Sequence, residues 1–226
     1  MPAESAFRDG PRASYELIET MRFEDGVFVR LDRHMERMCK SAETLGFRFE
    51  SEAIHSALDG VREGAAIQRV RLTLTRDGAV YVTTAPFIPL PPDAVWRLAI
   101  AQTRLDSGNP LLRHKTTLRA AYDAARGEFL PDAVDEVLLL NERDEICEGT
   151  ITSIFVNFDD EFLATPPLSC GLLGGVMRAE LLEAGQAHES VLTASMIARA
   201  RAIFVGNSLR GLIPAMMVGF NNQAAP

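Results

Sequence analysis

The 226-residue sequence predicts an α+β fold in two parts. Three observations carry this expectation. Runs of period-two alternation recur along the chain, and Asp-Gly turns at 25–26 and 77–78 join them into hairpins. Between Asp32 and Gly46 the apolar residues instead repeat at helical spacing. Residues 86–92 read PFIPLPP, four prolines in seven positions, which suits neither a helix nor a central strand. The proline run, 87–92, is therefore expected to link a small α+β domain (1–86) to a larger domain (93–226).

In order, 14–21 and 27–30 read as the first two strands, around Asp25-Gly26. Asp32 is placed to cap a helix whose stripe is Met35, Met38, Ala42 and Leu45, and Gly46 ends it. A second helix covers 51–62. Strands 68–76 and 79–85 form the next hairpin. After the prolines come a strand at 95–103, a Gly108-Asn109-Pro110 loop and a helix from 117 to 127. Four short strands follow, at 135–140, 145–147, 151–157 and 161–164. Helices are expected at 175–184 and 193–201, an apolar strand at 202–206, and a loose tail NNQAAP.

Composition narrows the function. Lys and Arg number 23 against 31 Asp and Glu, a net charge of −8. An acidic chain with dispersed arginines is a poor general binder of nucleic acid, whose affinity comes from phosphate neutralisation. No apolar run nears the roughly 20 residues that span a bilayer. MPAESAFRDGPR lacks the apolar core of a signal peptide, and Cys39, Cys147 and Cys170 show neither metal-type spacing nor a disulfide framework, so a cytoplasmic protein is expected. Of the 23 basic residues only Lys40 and Lys115 are lysines. Any chemistry that needs a primary amine has two side chains to choose from.

Four local patterns carry chemistry. Lys115 sits where a loop gives way to a predicted helix, with Arg113 and Arg119 near in sequence. A helix N-terminus and neighbouring cations both lower an amine's pKa, as a nucleophilic lysine requires. Lys40 lies on the polar side of its helix, where an amine stays solvated. Gly174-Gly175-Val176-Met177 is a glycine turn feeding a helix, and such a terminus offers backbone N–H groups to an anion, though it lacks the lysine and hydroxyl of a P-loop. Glu148 is a single carboxylate at a strand end among hydroxyl residues, able to pair with a heterocycle nitrogen. Ser208, Leu209 and Arg210 follow a buried strand, as a ligand floor does. Each also has a plain structural reading. Arg37 lies about 200° from Met35 around its helix and is expected to face solvent. His34, His55, His114 and His188 show no metal spacing and no nucleophile partner. Together, one amine, one anion cradle and one isolated carboxylate are what pyridoxal phosphate needs.

The chain resembles the class IV aminotransferases, the fold-type-IV enzymes that use pyridoxal phosphate. The similarity rests on LIETMR (17–22), RLDRHMERMCKSAETLGF (30–47), RVRLTLTRDG (69–78), LLRHKTTLRAAYDAAR (111–126), DEVLLLNERDEICEGTITSIFV (135–156), TPPLSCGLLGGVMRAELL (165–182) and VGNSLRGLIP (205–214). It implies a small α+β domain beside a larger pseudo-barrel domain, with the cofactor between them, in a homodimer. It implies that Lys115 binds the cofactor as a Schiff base and moves protons, and that Glu148 pairs with the pyridine nitrogen. Arg37, Gly175, the N–H groups of Val176 and Met177, and Ser208 would hold the phosphate. Leu209 and Arg210 would lie near the carboxylates of a small amino substrate. HKTTLRAAYDAAR and GNSLRG are most similar to the 4-amino-4-deoxychorismate lyase branch, which implies release of pyruvate and 4-aminobenzoate. Leu118-Arg119-Ala120 departs from the Gly-Asn-Tyr of branched-chain transaminases. A class IV transaminase remains the alternative, and a non-catalytic phosphate-ligand module the reading from another class.

Overall fold

The computed structural model describes residues 15–61, 67–158 and 161–219. The MPAESAFRDGPR segment and the NNQAAP tail lie outside them.

The first sheet has the order β2-β1-β3-β4, all antiparallel, from β1 (Leu17–Glu24), β2 (Val27–Phe28), β3 (Gln68–Leu74) and β4 (Val80–Pro86). Asp25 (φ 51) and Gly26 (φ 76) are both left-handed, as a two-residue hairpin turn demands. On one face Leu17, Met21, Val70, Leu72 and Leu74 bury against α1 (Leu31–Leu45) and α2 (Ser51–Leu58), through Met35, Met38, Ala42, Ile54 and Leu58. Helix α1 stops where Gly46 turns left-handed at φ 70. Its start differs from expectation. Arg30 (φ 61) occupies the cap position and Asp32 lies inside the first turn without a capping bond. There Asp32 complements the helix dipole instead.

The second sheet has eight strands in the order β10-β9-β8-β11-β12-β5-β6-β7 and curls into a half-barrel. They are β5 (Trp96–Leu105), β6 (Glu136–Asn141), β7 (Ile146–Gly149), β8 (Ser153–Asn157), β9 (Leu163–Thr165), β10 (Ala187–Glu189), β11 (Ala202–Asn207) and β12 (Gly211–Met217). The helices are α3 (Ala120–Gly127), α4 (Val176–Glu183) and α5 (Ala194–Ile197). All six residues of β6 are buried, because the sheet is covered on both faces. Leu98, Leu138, Ile154, Val205 and Ile213 fill one side. Ala99, Ala101, Val137, Leu139 and Ala125 fill the other, under α3. Between Ile100 and Arg104 the β5–β6 register slips. Glu128 accepts hydrogen bonds from the N–H groups of Gln102 (2.5 Å) and Thr103 (2.8 Å) there, satisfying donors that the ladder leaves unpaired.

Several elements depart from the sequence reading. Helix α2 ends at Leu58 rather than 62, α3 starts at Ala120 rather than 117, α5 ends at Ile197 rather than 201, and β10 and β12 are strands where none was expected. Pro214 hid β12. It pairs with Phe204 of β11, and the parallel ladder to β5 begins one residue later, at Ala215. The missing N–H therefore costs no bond on the β5 side.

Candidate active site

A cleft of roughly 800 Å³ opens between the two sheets. Its walls include all nine residues singled out from the sequence: Arg37, Lys115, Glu148, Gly175, Val176, Met177, Ser208, Leu209 and Arg210. Lys40 is elsewhere. Its ammonium is 70% exposed and pairs with Glu36 at 2.5 Å.

Lys115 is held by strand-like pairing rather than by a helix. Ile18 N–H donates to the Lys115 carbonyl (2.9 Å), Thr117 N–H to the Glu16 carbonyl (3.0 Å), and Leu17 bridges Thr116. Helix α3 begins five residues later, so its dipole is not what perturbs the amine, and Arg113 is exposed outside the cleft. Burial, and then Arg37, push the Lys115 amine down to about 8; Arg119 adds to this, while Glu19 and Glu148 oppose it. Among the described residues nothing hydrogen-bonds or ion-pairs with the Lys115 side chain.

Glu148 ends β7. Burial pushes its carboxyl up to about 7, against hydrogen bonds from the Tyr122 hydroxyl (2.7 Å) and the Leu173 N–H (3.1 Å). Both donors go to Oε1, and no described residue donates to Oε2. Burial, with Glu148 beside it, raises the Tyr122 phenol, which stays protonated and donates.

Arg37 does not face solvent, as its helical position suggested. The polar side of α1 meets a carboxylate buried on the core face of β1. Arg37 Nε donates to Glu19 Oε1 (2.8 Å), Nη2 to Glu19 Oε2 (2.5 Å), and Nη1 to the Gly174 carbonyl (3.1 Å). His34 has partners as well. Its Nδ1 meets Glu19 Oε2 at 2.7 Å and its Nε2 meets Ser208 Oγ at 2.8 Å. Burial alone would raise the Glu19 carboxyl, but Arg37 and His34 together hold it down to about 2.

The start of α4 stands next to this network. Gly175 is its cap, with no side chain bonded to the first-turn N–H groups. A Cβ on Gly175 would lie 2.7 Å from Ser153 Oγ, so the backbone is bare where a ligand approaches. Gly206 lets β11 approach the same helix, since a Cβ there would meet Met177 Cε and the Gly211 carbonyl, each at 2.5 Å.

These features fit pyridoxal phosphate. There is an untethered amine, a carboxylate with one oxygen open to the cleft, and an uncapped helix start beside Arg37 and Ser208. Sequence reasoning missed Glu19, His34, Tyr122, Arg69 and Arg71, of which all but Glu19 line the cleft. A usable signal existed for Glu19, a charge between Leu17 and Met21 on the apolar face of β1. Arg210 stacks over Phe87 (5.3 Å) and Trp96 (5.7 Å), and its buried Nε has no partner.

Known proteins share this arrangement of chain. A family model described as amino-transferase class IV matches residues 16–217. A Schizosaccharomyces pombe protein named "Putative aminodeoxychorismate lyase" is 29% identical over 208 residues, 89% of each chain. A Mesorhizobium loti structure titled "Putative amino-acid aminotransferase" is 53% identical with a TM-score of 0.86, covering 90% of this chain and all of that one. A Legionella pneumophila structure titled "Putative 4-amino-4-deoxychorismate lyase" has a TM-score of 0.76 at 23% identity, covering 90% and 83%, and shares the fold. The chain is an enzyme of the class IV aminotransferase family, a family dependent on pyridoxal phosphate.

Proposed function

We propose that this protein binds pyridoxal phosphate and acts as a 4-amino-4-deoxychorismate lyase, releasing pyruvate and 4-aminobenzoate. The observation that carries the substrate class is the set of arginines that line the same cleft as Lys115 and Glu148. Arg69, Arg71, Arg119 and Arg210 all border the cleft, and Arg210 keeps an unpaired buried Nε. Such a set suits a substrate with more than one carboxylate. Arg113, near Lys115 in sequence, is not among the cleft residues, whereas the β3 arginines are.

In this reading Lys115 would anchor the cofactor, Glu148 would pair with the pyridine nitrogen, and Arg37, Ser208 and the N–H groups of Val176 and Met177 would hold the phosphate. The bound cofactor supplies an electron sink for bond breaking at the substrate's amine-bearing carbon. The Lys115 amine would take the proton from that carbon and return one to the departing enol carbon. An amine near pKa 8 suits both duties near neutral pH. The Tyr122 hydroxyl fixes the orientation of the Glu148 carboxyl that would pair with the ring nitrogen.

Amino transfer to a keto acid is the second reading, favoured by the name of the 53% identical Mesorhizobium structure. It uses the same residues and differs in where Lys115 returns the proton. Steady-state assays separate the two. Pyruvate and 4-aminobenzoate formed from aminodeoxychorismate with no amino acceptor support the lyase. Turnover that requires a keto acid rejects it. A homodimer belongs to the same proposal and is tested by sedimentation.

A further inference from the structure

We infer that an anion entering the cleft beside α4 is bound together with one proton, which is taken up by His34. The inference rests on the reading of Arg37, Ser208 and the α4 start as the phosphate cradle.

The argument is one of hydrogen counting. Glu19 is ionised, because Arg37 grips both of its oxygens. An ionised carboxylate only accepts, so the His34 Nδ1 that meets it at 2.7 Å carries a hydrogen. That leaves Nε2, 2.8 Å from Ser208 Oγ. If His34 is neutral, Nε2 is an acceptor, and the only partner on offer is the Ser208 hydroxyl. Its single hydrogen then points at the ring. The serine oxygen turns only lone pairs toward the cleft, which repels an anion. If His34 is an imidazolium, Nε2–H donates to Oγ instead, and the hydroxyl hydrogen is free to point into the cleft. One proton arrives from solvent on Nε2, the hydroxyl hydrogen swings from Nε2 to the anion, and no other bond changes.

The surroundings hold this geometry in place. His34 is 1% exposed and its Nε2 faces Ser208, which holds water away from that nitrogen. Arg30 donates to the Ser208 carbonyl at 3.3 Å while its Nε pairs with Glu180 of α4 at 2.6 Å. The charges on the packed elements are Glu19 on β1, Arg30, Arg33 and Arg37 at or in α1, Glu180 and Glu183 on α4, and Lys115 across the cleft. Glu19 is the one bonded to the ring. The arriving anion adds a second negative charge behind Ser208.

The test uses the full-length chain freed of cofactor, with sulfate as the probe. Sulfate carries no titrating proton between pH 6 and pH 9, and so cannot supply the effect itself. One coupled proton makes affinity fall about tenfold per pH unit wherever the ring of the anion-free protein is neutral. Lys115 and Glu148 also titrate near this range, so the comparison is with His34→Gln, whose amide offers Ser208 a fixed donor. Between pH 8 and pH 9 wild-type sulfate affinity should fall about tenfold more steeply than that of H34Q. The imidazole nitrogen resonances of His34 in the wild type should also pass from the neutral to the doubly protonated pattern as sulfate is added at pH 8. That second readout stands alone if H34Q does not fold. Equal slopes, or a ring whose protonation does not change as sulfate is added, would overturn the coupling and leave the cradle intact. A protein that binds no sulfate would overturn the cradle reading and this inference with it.

Discussion

Replacing Lys115 with methionine should make the cofactor-free protein more stable while abolishing its chemistry. The folded state holds the amine at about 8 against an ordinary 10.5, chiefly by burial. At ~1.4 kcal/mol per pH unit, that is at most about 3.5 kcal/mol of destabilisation. Lys115 borders an open cleft, so solvent screens part of this, and about 1–2 kcal/mol is the expected gain. The sign depends on pH. Below pH 8 the amine is charged in both states, and the folded state bears the full penalty. Between 8 and 10.5 the folded amine is neutral while the unfolded one keeps its proton, so wild-type stability rises with pH. Above 10.5 the penalty is gone. Urea denaturation of wild type and Lys115→Met, at one protein concentration, should show the gain at pH 7 and little of it at pH 10. The variant should also lack the visible band that borohydride abolishes in the wild type with added pyridoxal phosphate. A variant no more stable than wild type at pH 7, or a gain undiminished at pH 10, would refute the claim that a buried, untethered amine sits there.

Three further outcomes follow from the same geometry. Glu148→Gln keeps the shape and the Tyr122 contact but loses the charge. It should lower kcat about a hundredfold or more, the scale of one preorganised electrostatic partner, and stabilise the cofactor-free protein at pH 8 but not at pH 4, because the raised carboxyl costs stability only as pH climbs from 4.5 through 7. Arg210→Met should raise KM for a dicarboxylate substrate about tenfold or more with a smaller change in kcat, measured by steady-state kinetics. Gly206→Ala puts a Cβ 2.5 Å from the Gly211 carbonyl and should cost about 1–3 kcal/mol in thermal denaturation; an unchanged midpoint would show that β11 and α4 have room to part.

What the sequence made legible were the groups whose role follows from local chemistry. Lys115 stood out because only one other lysine exists. Glu148 and the Gly174-Gly175 turn stood out because a strand end and a helix start define their surroundings. The misreadings share a different cause. Alternation and helical spacing say which residues share a face, but not what that face looks at. Arg69 and Arg71 alternate with buried Val70 and Leu72 on β3, which reads as a solvated edge. In the structure Thr20 lies opposite Arg71 across the β1–β3 ladder, and both line the cleft, because the second sheet is set over that face. The same holds for α1. Arg37 lies off its Met35–Met38–Ala42 stripe and would be solvated in an isolated helix, and His34 borders that stripe, yet both close on Glu19. A buried carboxylate with two cationic or polar partners is expensive to assemble and gives little net stability against an apolar substitute. Its presence on the core face of β1 is therefore better explained by what it positions, a guanidinium and a serine hydroxyl at the start of α4, than by what it contributes to the fold. An acidic residue on the apolar face of a strand, with histidine and arginine three apart on the next helix, is a pattern of residue types and spacings, so this part of the site was readable in principle.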